Sequence, residues 1–360
     1  MKTGASTYWT ELASGKRTST KDQLFILLLA PLGKIYSLVQ SVRVLLYRFG
    51  ILKSRQLPRP VVSIGNITVG GTGKTPVTAY IARELIKRGY RPAVLSRGYG
   101  GSLEGECLVV SDGNTVMLSP EECGDEPYLL ASTVKGLMLV IGSDRYAAGC
   151  LAMKQLSPDI FLLDDGFQHL KLFRDINILL LDHSRPLGNG WTLPAGSLRE
   201  PAKAAERADA ILFTRCPEGT AVSPSTSEKP IFAASHRIID ATPLKGGEPV
   251  AIDSLKELKL MAFAGIANPQ HFFSSLIDKG LNLVATVSLP DHVRYARENI
   301  EELNTVLRKS GADYAITTEK DGVKLRKSEN EISEVTYMAR LDVEIKKSSD
   351  LMKLVFNLLP

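Results

Sequence analysis

A glycine-rich turn between an apolar strand and an amphipathic segment constrains this chain more than any other feature. Residues 61–64 read Val-Val-Ser-Ile, as a buried strand would, and residues 70–75 read Gly-Gly-Thr-Gly-Lys-Thr. Residues 77–87 then carry apolar side chains at helical spacing, and residues 92–96 form a second apolar run. A strand, a glycine-rich loop, a helix and a second strand form the βαβ context of a phosphate-binding loop. We therefore expect a nucleoside triphosphate to bind here.

The residue types of this loop suit the phosphates of a nucleotide. Glycines let backbone N–H groups converge on phosphate oxygens at a helix N-terminus, where the helix dipole also favours an anion. Lys74 is placed to reach the terminal phosphates, and the hydroxyl of Thr75 to bind Mg²⁺. Thr68 replaces the usual first glycine of the pattern, so a tight turn that binds no nucleotide is the alternative. The predicted nucleotide-binding residues are Thr68, Gly70, Gly71, Thr72, Gly73, Lys74 and Thr75.

The length and composition indicate a globular protein with more than one domain. The 360 residues, of which 44% are hydrophobic and 23% charged, are enough for two domains of ordinary size. A formal net charge of +5 suits an anionic partner but does not identify one. The four cysteines have no metal-binding spacing, so reduced thiols are expected.

Apolar runs alternate with helical patterns along most of the chain, which predicts a parallel sheet covered by helices on both faces. We expect the run at residues 208–214 to be the last strand of the first α/β unit. Residues 216–229 then turn polar and form the best candidate for a domain boundary. The predicted fold is α/β, with an N-terminal region (1–53), a phosphate-loop domain (54–222) and a smaller α/β domain (223–360).

The N-terminal region carries an unusual amount of apolar surface. Residues 24–30 are entirely apolar, and we expect Pro31 and Gly33 to interrupt this run, leaving it too short to span a bilayer as one helix. Apolar residues at steps of three and four continue over residues 28–49, which predicts an amphipathic helix. Its stripe either packs on the body of the protein or lies in a membrane surface near anionic headgroups. The neighbouring apolar run makes peripheral membrane attachment a serious candidate.

Two acidic residues close an apolar run further along. Asp164 and Asp165 follow residues 160–163, where a hydrolase or kinase with a phosphate-binding loop keeps the carboxylate that anchors Mg²⁺. Because ligands collect at the carboxyl ends of parallel strands, we expect both acids near Lys74 and Thr75. The alternative is an acidic turn with no further function.

Four other polar residues belong near this edge of the sheet. Gln168 and His169 continue the loop that begins with the two acids. Arg97 follows the second strand. Arg199 is a similar candidate, but the sequence predicts the position of its loop less clearly. A guanidinium there would clamp phosphate or a developing negative charge.

A second acidic pair and a histidine are weaker candidates on their own. Asp125 and Glu126 open a predicted helix, with Asp125 as its cap, and need no further function there. Asp291 and His292 lie in a loop next to a proline, where a histidine is more often structural.

Several short motifs nevertheless occur together, in one order, between residues 61 and 321. They are Ser-Ile-Gly-Asn (63–66), Gly-Gly-Thr-Gly-Lys-Thr-Pro (70–76), Ser-Arg-Gly-Tyr-Gly (96–100), Gly-Asp-Glu-Pro (124–127), Asp-Asp-Gly-Phe-Gln-His (164–169), Leu-Pro-Ala-Gly-Ser-Leu-Arg-Glu-Pro (193–201), Pro-Asp-His (290–292) and Thr-Thr-Glu-Lys-Asp (317–321). The set closely resembles the tetraacyldisaccharide 4′-kinases, the lipid A 4′-kinases of Gram-negative bacteria. That family also tolerates a hydroxyl residue at the position of Thr68.

The resemblance implies an activity, a cofactor set and a location. The γ-phosphoryl group of ATP, with Mg²⁺, would pass to the 4′-hydroxyl of a tetraacylated glucosamine disaccharide 1-phosphate and give lipid IVA. Two α/β domains would surround a cleft, and the N-terminal helix would rest on the cytoplasmic face of the inner membrane. We expect a monomer with no nucleic-acid partner.

The resemblance also implies roles for site residues. Asp125 would be the general base on the acceptor hydroxyl, supported by His292 from the second domain. The full catalytic set is Asp125, His292, Asp164, Asp165, Lys74 and Arg199. We assign Arg97, Tyr99 and His169 to substrate binding, and the metal candidates are Thr75, Asp164, Asp165, Glu126 and Gln168.

Two rival functions are open at this point. One is a kinase with a soluble substrate, in which the N-terminal stripe is packed against the protein. The other is a nucleotide-dependent switch or assembly ATPase. The deviant phosphate loops of such ATPases carry a lysine directly before Gly-Gly-x-Gly-Lys-Thr, and Val69 in that position counts against this class.

Overall fold

The computed structural model describes residues 4–217, 219–220, 229–326 and 330–360, with side chains from Tyr8 onward. The polar stretch at residues 216–229, predicted to be a domain boundary, lies mostly outside these residues.

Helices and strands alternate through the first part of the chain, as the apolar runs predict. The elements are α1 (Gly4–Ala13), α2 (Thr20–Arg48), β1 (Val61–Asn66), α3 (Lys74–Lys87), β2 (Pro92–Ser96), β3 (Leu108–Asp112), α4 (Pro120–Cys123), α5 (Asp125–Thr133), β4 (Met138–Ile141), α6 (Arg145–Gln155), β5 (Ile160–Asp164), β6 (Ile176–Asp182) and β7 (Ala210–Thr214). The second part contains β8 (Ile231–Pro243), β9 (Val250–Ala251), β10 (Lys259–Ala264), α7 (Pro269–Asp278), β11 (Asn282–Ser288), α8 (Arg297–Ser310), β12 (Tyr314–Thr318), α9 (Glu319–Leu325), α10 (Glu331–Glu334), β13 (Thr336–Ile345) and α11 (Ser348–Phe356).

The strands form one continuous sheet in the order β11-β10-β12-β13-β8-β7-β6-β1-β5-β2-β4-β3, with β9 paired to β8 at the side. Most neighbours are parallel, including both partners of β1. The antiparallel pairs are β3 with β4, β8 with β13, and β8 with β9. Because β1, β2, β4 and β5 are parallel, their carboxyl ends meet at one edge, where the phosphate loop also begins.

Strand β8 joins the two parts of the sheet. Its first residues pair with β7 in parallel, and the rest pairs with β13 in the antiparallel sense. The expectation that residues 208–214 form the last strand of the first unit is therefore wrong, since β7 passes its hydrogen bonds on to β8. The C-terminal helix α11 also returns to the first part, where Leu351 and Val355 pack in one core with Val62. The domain limits drawn from the sequence stay a prediction.

Helix α2 corrects the reading of the N-terminal region. It runs unbroken for 29 residues and carries Pro31 in its interior, so the interruption expected at Pro31 and Gly33 is wrong. It is the one described helix that is long and apolar enough to cross a membrane. Its small residues face the protein: Thr192 donates a hydrogen bond to the carbonyl oxygen of Gly33 at 2.7 Å, and Ala30 is buried.

Candidate active site

A cavity of about 950 Å³ lies at the carboxyl edge of the sheet, between the first and second parts of the chain. One wall is formed by the phosphate loop and by Asp164 and Asp165 at the carboxyl end of β5. The opposite wall includes Asn268 at the start of α7, His292 in the loop before α8, and Lys320 on α9. The predicted nucleotide, metal and acceptor sites therefore converge on one cavity.

The phosphate loop needs glycine at its last position. Gly73 has φ of 78°, in the left-handed region, and a Cβ there would lie 2.7 Å from Cε1 of His236. Helix α3 begins at the next residue, with no side-chain cap on its first amides. Thr214 donates a hydrogen bond to the carbonyl oxygen of Thr72 at 2.8 Å, and Arg215 donates to that of Gly71. These bonds leave the loop and the free amides of α3 directed at the cavity.

Asn66, at the end of β1, braces the loop from below. Its fully buried side chain donates a hydrogen bond from Nδ2 to Oγ1 of Thr72 at 2.9 Å and approaches Oγ1 of Thr68 at 3.4 Å. The hydroxyl at the usual first glycine position is thus part of the internal bonding of the loop. Asn66 ends the Ser-Ile-Gly-Asn motif (63–66), and no local pattern predicts this role for it.

Lys74, the lysine of the phosphate loop, is paired with Asp165, which directly follows β5. Lys74 Nζ lies 3.6 Å from Oδ1 of Asp165, and Arg199 Nη1 reaches the two oxygens of that carboxylate at 3.1 and 2.8 Å. Burial alone would raise the pKa of Asp165, but the two cations outweigh it and hold the pKa below its usual value. Asp165, Lys74 and Arg199 therefore meet as predicted.

Asp164, the last residue of β5, lies among other negative charges. Asp164 is buried and accepts one hydrogen bond from Thr78 at 3.3 Å. Burial, together with the charges of Glu126 and Asp165, raises its pKa to about 7. A cation would relieve this repulsion, and Mg²⁺ is typically held by one or two carboxylates together with substrate phosphates.

The described residues contain no group of three acidic, histidine or cysteine side chains that could hold a metal alone. Thr75, Glu126 and Asp164 line the same cavity, so their oxygens fit a Mg²⁺ ion completed by ATP. Gln168 also lines it, but its Nε2 donates to the carbonyl oxygen of Asn66 at 2.8 Å, which leaves its Oε1 as the possible ligand. The metal-ligand set stays a prediction.

Asp125 and His292 are in contact beside the cavity, although they come from distant parts of the chain. His292 Nδ1 lies 3.2 Å from Oδ2 of Asp125, and Nζ of Lys324 lies 2.8 Å from the same oxygen. Burial would raise the pKa of Asp125, but the contacts with His292 and Lys324 prevail and lower it. Asp125 is the first residue of α5 and Gly124 is its cap, so the assignment of Asp125 as a helix cap is wrong.

The three residues assigned to substrate binding all line the cavity, each with different partners. The ring of Tyr99 lies edge-on to that of His292 at 5.9 Å. Arg97 is paired with Glu104 at 3.1 Å. Burial, together with the charge of nearby Arg145, lowers the pKa of His169 to about 4, so this imidazole is neutral at physiological pH.

Several residues at the site were not found by sequence reasoning. Lys320 lies 3.3 Å from Glu126 and 3.4 Å from Asp291, and it belongs to a motif that was quoted without a role. Arg145 is buried, lines the cavity and donates to the carbonyl oxygen of Gly142 at 2.7 Å. Lys324 and His236 follow no recognisable local pattern, and only the fold brings them to the site.

One wall of this cavity is built for a nucleotide and the other presents a paired carboxylate and imidazole. This is the division of roles in a kinase with a phosphate-binding loop, where the protein positions phosphates and supplies a proton acceptor. The class defined by the fold and the site is thus a P-loop phosphotransferase.

Comparison with known proteins gives the particular family. The model of the family described as LpxK, tetraacyldisaccharide-1-P 4′-kinase, matches residues 25–359. The chain belongs to this family.

Relatives and a solved structure agree with the assignment. The tetraacyldisaccharide 4′-kinase of Pelobacter propionicus is 55% identical over 359 residues, covering 100% of this chain and 99% of that protein. The corresponding protein of Geobacter sulfurreducens is 52% identical over 319 residues, covering 88% and 89%. The structure of LpxK from Aquifex aeolicus in complex with ATP is 35% identical, with a TM-score of 0.79, covering 93% of this chain and all of that chain (100%).

The family predicted from the motifs is therefore confirmed, and so is the α/β fold with an apolar N-terminal helix. The enzyme class is confirmed as well: the protein is a kinase of lipid A biosynthesis that uses ATP and Mg²⁺. Both rival functions, the soluble-substrate kinase and the nucleotide-dependent switch, give way to this assignment.

Proposed function

We propose that the cavity transfers the γ-phosphoryl group of ATP to the 4′-hydroxyl of tetraacyldisaccharide 1-phosphate, with Asp125 as the general base. The observation that carries the proposal is the 3.2 Å contact between Asp125 and His292, because His292 and Glu126, the neighbour of Asp125, line the same cavity as the phosphate loop. A sugar hydroxyl needs a positioned acceptor for its proton, and such a group contributes about 10²–10⁴-fold to the rate.

The remaining residues take complementary roles. The backbone amides at the start of α3 and the ammonium of Lys74 bind the β- and γ-phosphates. Arg199 stabilises the charge that develops on the transferred group. Thr75, Asp164 and Glu126 hold Mg²⁺, which neutralises phosphate charge when bound. The hydroxyl oxygen bonds to the γ-phosphorus, its proton passes to Asp125, and the bond to the β–γ bridging oxygen breaks to release ADP.

His292 supports the base. Its ring is held by Tyr99 on one side and by the bond to Asp125 on the other, in a backbone conformation with φ of 58°. Such strain in a residue other than glycine persists only where the surroundings fix it. Because His292 comes from residues 223–360, we further propose that this part of the chain closes on the substrate and completes the site.

Replacement of Asp125 tests the proposal directly. Asp125→Asn keeps the shape of the side chain but removes the proton acceptor, so turnover of [γ-³²P]ATP and lipid into labelled product should fall about 10²–10⁴-fold. ATP affinity should change less than about threefold, because Asp125 does not touch the phosphate loop. Asp350→Asn, in an exposed ion pair with Lys353 on α11, is the matched control. Unchanged turnover in Asp125→Asn would exclude Asp125 as the base.

The apolar surface of α2 supports attachment to the cytoplasmic face of the inner membrane, where the lipid substrate resides. The residues of the predicted stripe are exposed along most of the helix, including Leu28, Leu32, Ile35, Val39, Val42 and Phe49. An exposed apolar surface of this extent needs a partner, and a bilayer is the partner that also presents the substrate. We propose that the protein acts there as a monomer without a nucleic-acid partner.

A further inference from the structure

A short helix of the second part carries two lysines to the acids at the start of α5. Lys320 and Lys324 are one turn apart on α9, which packs against α5. Lys320 faces Glu126 and lines the cavity, whereas Lys324 faces Asp125 from behind the cavity wall. Only 7% of the Lys324 side chain is exposed. A lysine this well buried needs a specific partner to stay charged.

Lys324 links Asp125 to the loop that carries His292. Its Nζ lies 2.8 Å from Oδ2 of Asp125 and donates to the carbonyl oxygen of Val293, directly after His292, at 3.1 Å. It therefore ties the loop that carries the imidazole to the carboxylate that receives its hydrogen bond. The same ammonium lies 6.0 Å from the ring centre of Tyr295, which closes this side of the loop.

The two contacts leave one carboxylate oxygen free. His292 and Lys324 both approach Oδ2 of Asp125, and Oδ1 makes no hydrogen bond with any residue in the described part of the chain. The last torsion of an aspartate side chain is broad, so an unrestrained carboxylate would turn either oxygen towards a substrate. A fixed carboxylate keeps one oxygen in a productive direction and removes the cost of reorganisation.

We propose that Lys324 is a positioning residue, which fixes the carboxylate of Asp125 through Oδ2 so that Oδ1 receives the proton of the acceptor hydroxyl. This inference rests on the proposed role of Asp125 as the base. Lys324 itself does not contact the substrate. Its effect on the rate passes entirely through the orientation of Asp125 and of the loop that carries His292.

A double-mutant cycle tests this role. Lys324→Met removes the ammonium but keeps an unbranched side chain of similar length, and kcat should fall about 10–100-fold with the KM values for ATP and lipid changed less than about threefold. In the Asp125→Asn background the same substitution should lower kcat less than about twofold further, because residues that act as a unit are not additive. Lys324→Arg restores a cation at Oδ2 and should recover part of the loss.

Lys353→Met is the matched control, since Lys353 forms an exposed pair with Asp350 on α11, and it should keep full activity. Full kcat in Lys324→Met, or a loss that multiplies in the Asp125→Asn background, would overturn the positioning role. If Lys324→Met fails to fold, Lys324→Gln, which is polar but uncharged, decides: a lower kcat at unchanged KM, absent in the Asp125→Asn background, supports the role, and full kcat overturns it. Full activity of Asp125→Asn alone would instead remove the proposed base, which separates the two failures.

Discussion

The ammonium of Lys74 lies 3.6 Å from a carboxylate oxygen of Asp165, so the lysine of the phosphate loop has an acidic partner within its own site. Arg199 holds the same carboxylate with two contacts. Asp165 has φ of 51°, a conformation that aspartate tolerates better than most residues and that aims its side chain at both cations. In the structure, the single negative charge of Asp165 thus offsets part of the positive charge of the two cations that would otherwise bind a triphosphate.

Asp165→Asn should therefore separate ATP binding from catalysis. Without Mg²⁺, loss of the negative charge leaves Lys74 and Arg199 free for phosphate, and the dissociation constant of ATP should fall about 3–10-fold. With Mg²⁺ and lipid, kcat should fall about 100-fold because the cations are no longer held in place. Calorimetry in EDTA and the labelled-lipid assay measure the two effects. Weaker ATP binding without Mg²⁺ would contradict the neutralising role.

Asn66→Ala should weaken nucleotide binding without touching the nucleotide. The substitution removes the bond that holds Oγ1 of Thr72 and leaves a small cavity under the loop. The KM for ATP should rise about 5–50-fold, while the KM for lipid should stay within about twofold. Asn66→Asp keeps the shape but places a carboxylate under the loop, where its charge repels phosphate, so it should raise the KM for ATP at least as much as Asn66→Ala. A normal KM for ATP in either variant would show that the loop keeps its shape without this bond.

Gly73→Ala should abolish ATP binding for two reasons that can be separated. The new Cβ would meet the ring of His236 at 2.7 Å, and the φ of 78° costs about 1–2 kcal/mol for any residue with a Cβ. His236→Ala in the same chain removes the clash but not the backbone cost. ATP binding should therefore recover in part, remaining about tenfold weaker than in His236→Ala alone. Full recovery would show that the backbone conformation carries no cost.

The stability of the protein should fall in mild acid partly because of His236. Burial, together with the charge of Arg215, lowers its pKa from 6.5 to about 4. In the unfolded chain this histidine is protonated below about pH 6.5, whereas in the folded chain it is protonated only below about pH 4. The free energy of unfolding therefore falls as the pH drops from 6.5 to 4. In urea titrations, the free energy of unfolding of His236→Gln should fall by about 2 kcal/mol less than that of the native chain between pH 7 and pH 5. Identical losses would exclude this contribution.

Local patterns predict much of this fold, and long-range pairing explains what they miss. The β1–α3–β2 unit follows from residues adjacent in the chain, whose periodicity and glycine content reflect their own backbone conformation. Local patterns do not predict strand β8, because its polar residues break the apolar pattern. The strand is defined by its pairing with β7 and β13, which are separate in the sequence. A proline such as Pro31 predicts a break in the helix, but α2 continues through it as one 29-residue helix.

The site residues also divide into those that local patterns predict and those that only long-range packing brings together. Local patterns predict Lys74 and Thr75, which belong to a recognisable loop motif, and Asp164, which lies at the end of an apolar strand. The partnership of Asp125 with His292 came only from the family resemblance, and Lys324 was not found at all. Contacts across the cavity depend on how the second part of the chain packs on the first, and no spacing along the sequence encodes that packing directly.

Helix α2 leads to the last prediction, because it exposes large apolar side chains along one face. Leu28 is 73% exposed and Leu38 is 65% exposed, both pointing away from the protein. The helix is anchored on its other side by Arg43, which donates to the carbonyl oxygen of Gln168 at 3.0 Å, in the loop that follows Asp165. A membrane bound to α2 would therefore lie close to the cavity in which the lipid headgroup must react.

Replacing both leucines, Leu28→Ser with Leu38→Ser, should release the protein from vesicles of phosphatidylethanolamine and phosphatidylglycerol. Burying a leucine side chain contributes about 1.5–3 kcal/mol, so the partition coefficient in a sedimentation assay should fall by at least about 100-fold. Ile277→Ser is the matched control, because Ile277 is 57% exposed but lies on α7 in the second part of the chain. Turnover of detergent-dispersed lipid should stay within about threefold of the native value, since neither leucine lines the cavity. Equal sedimentation of the double variant and the control would show that α2 does not bind the membrane through this face.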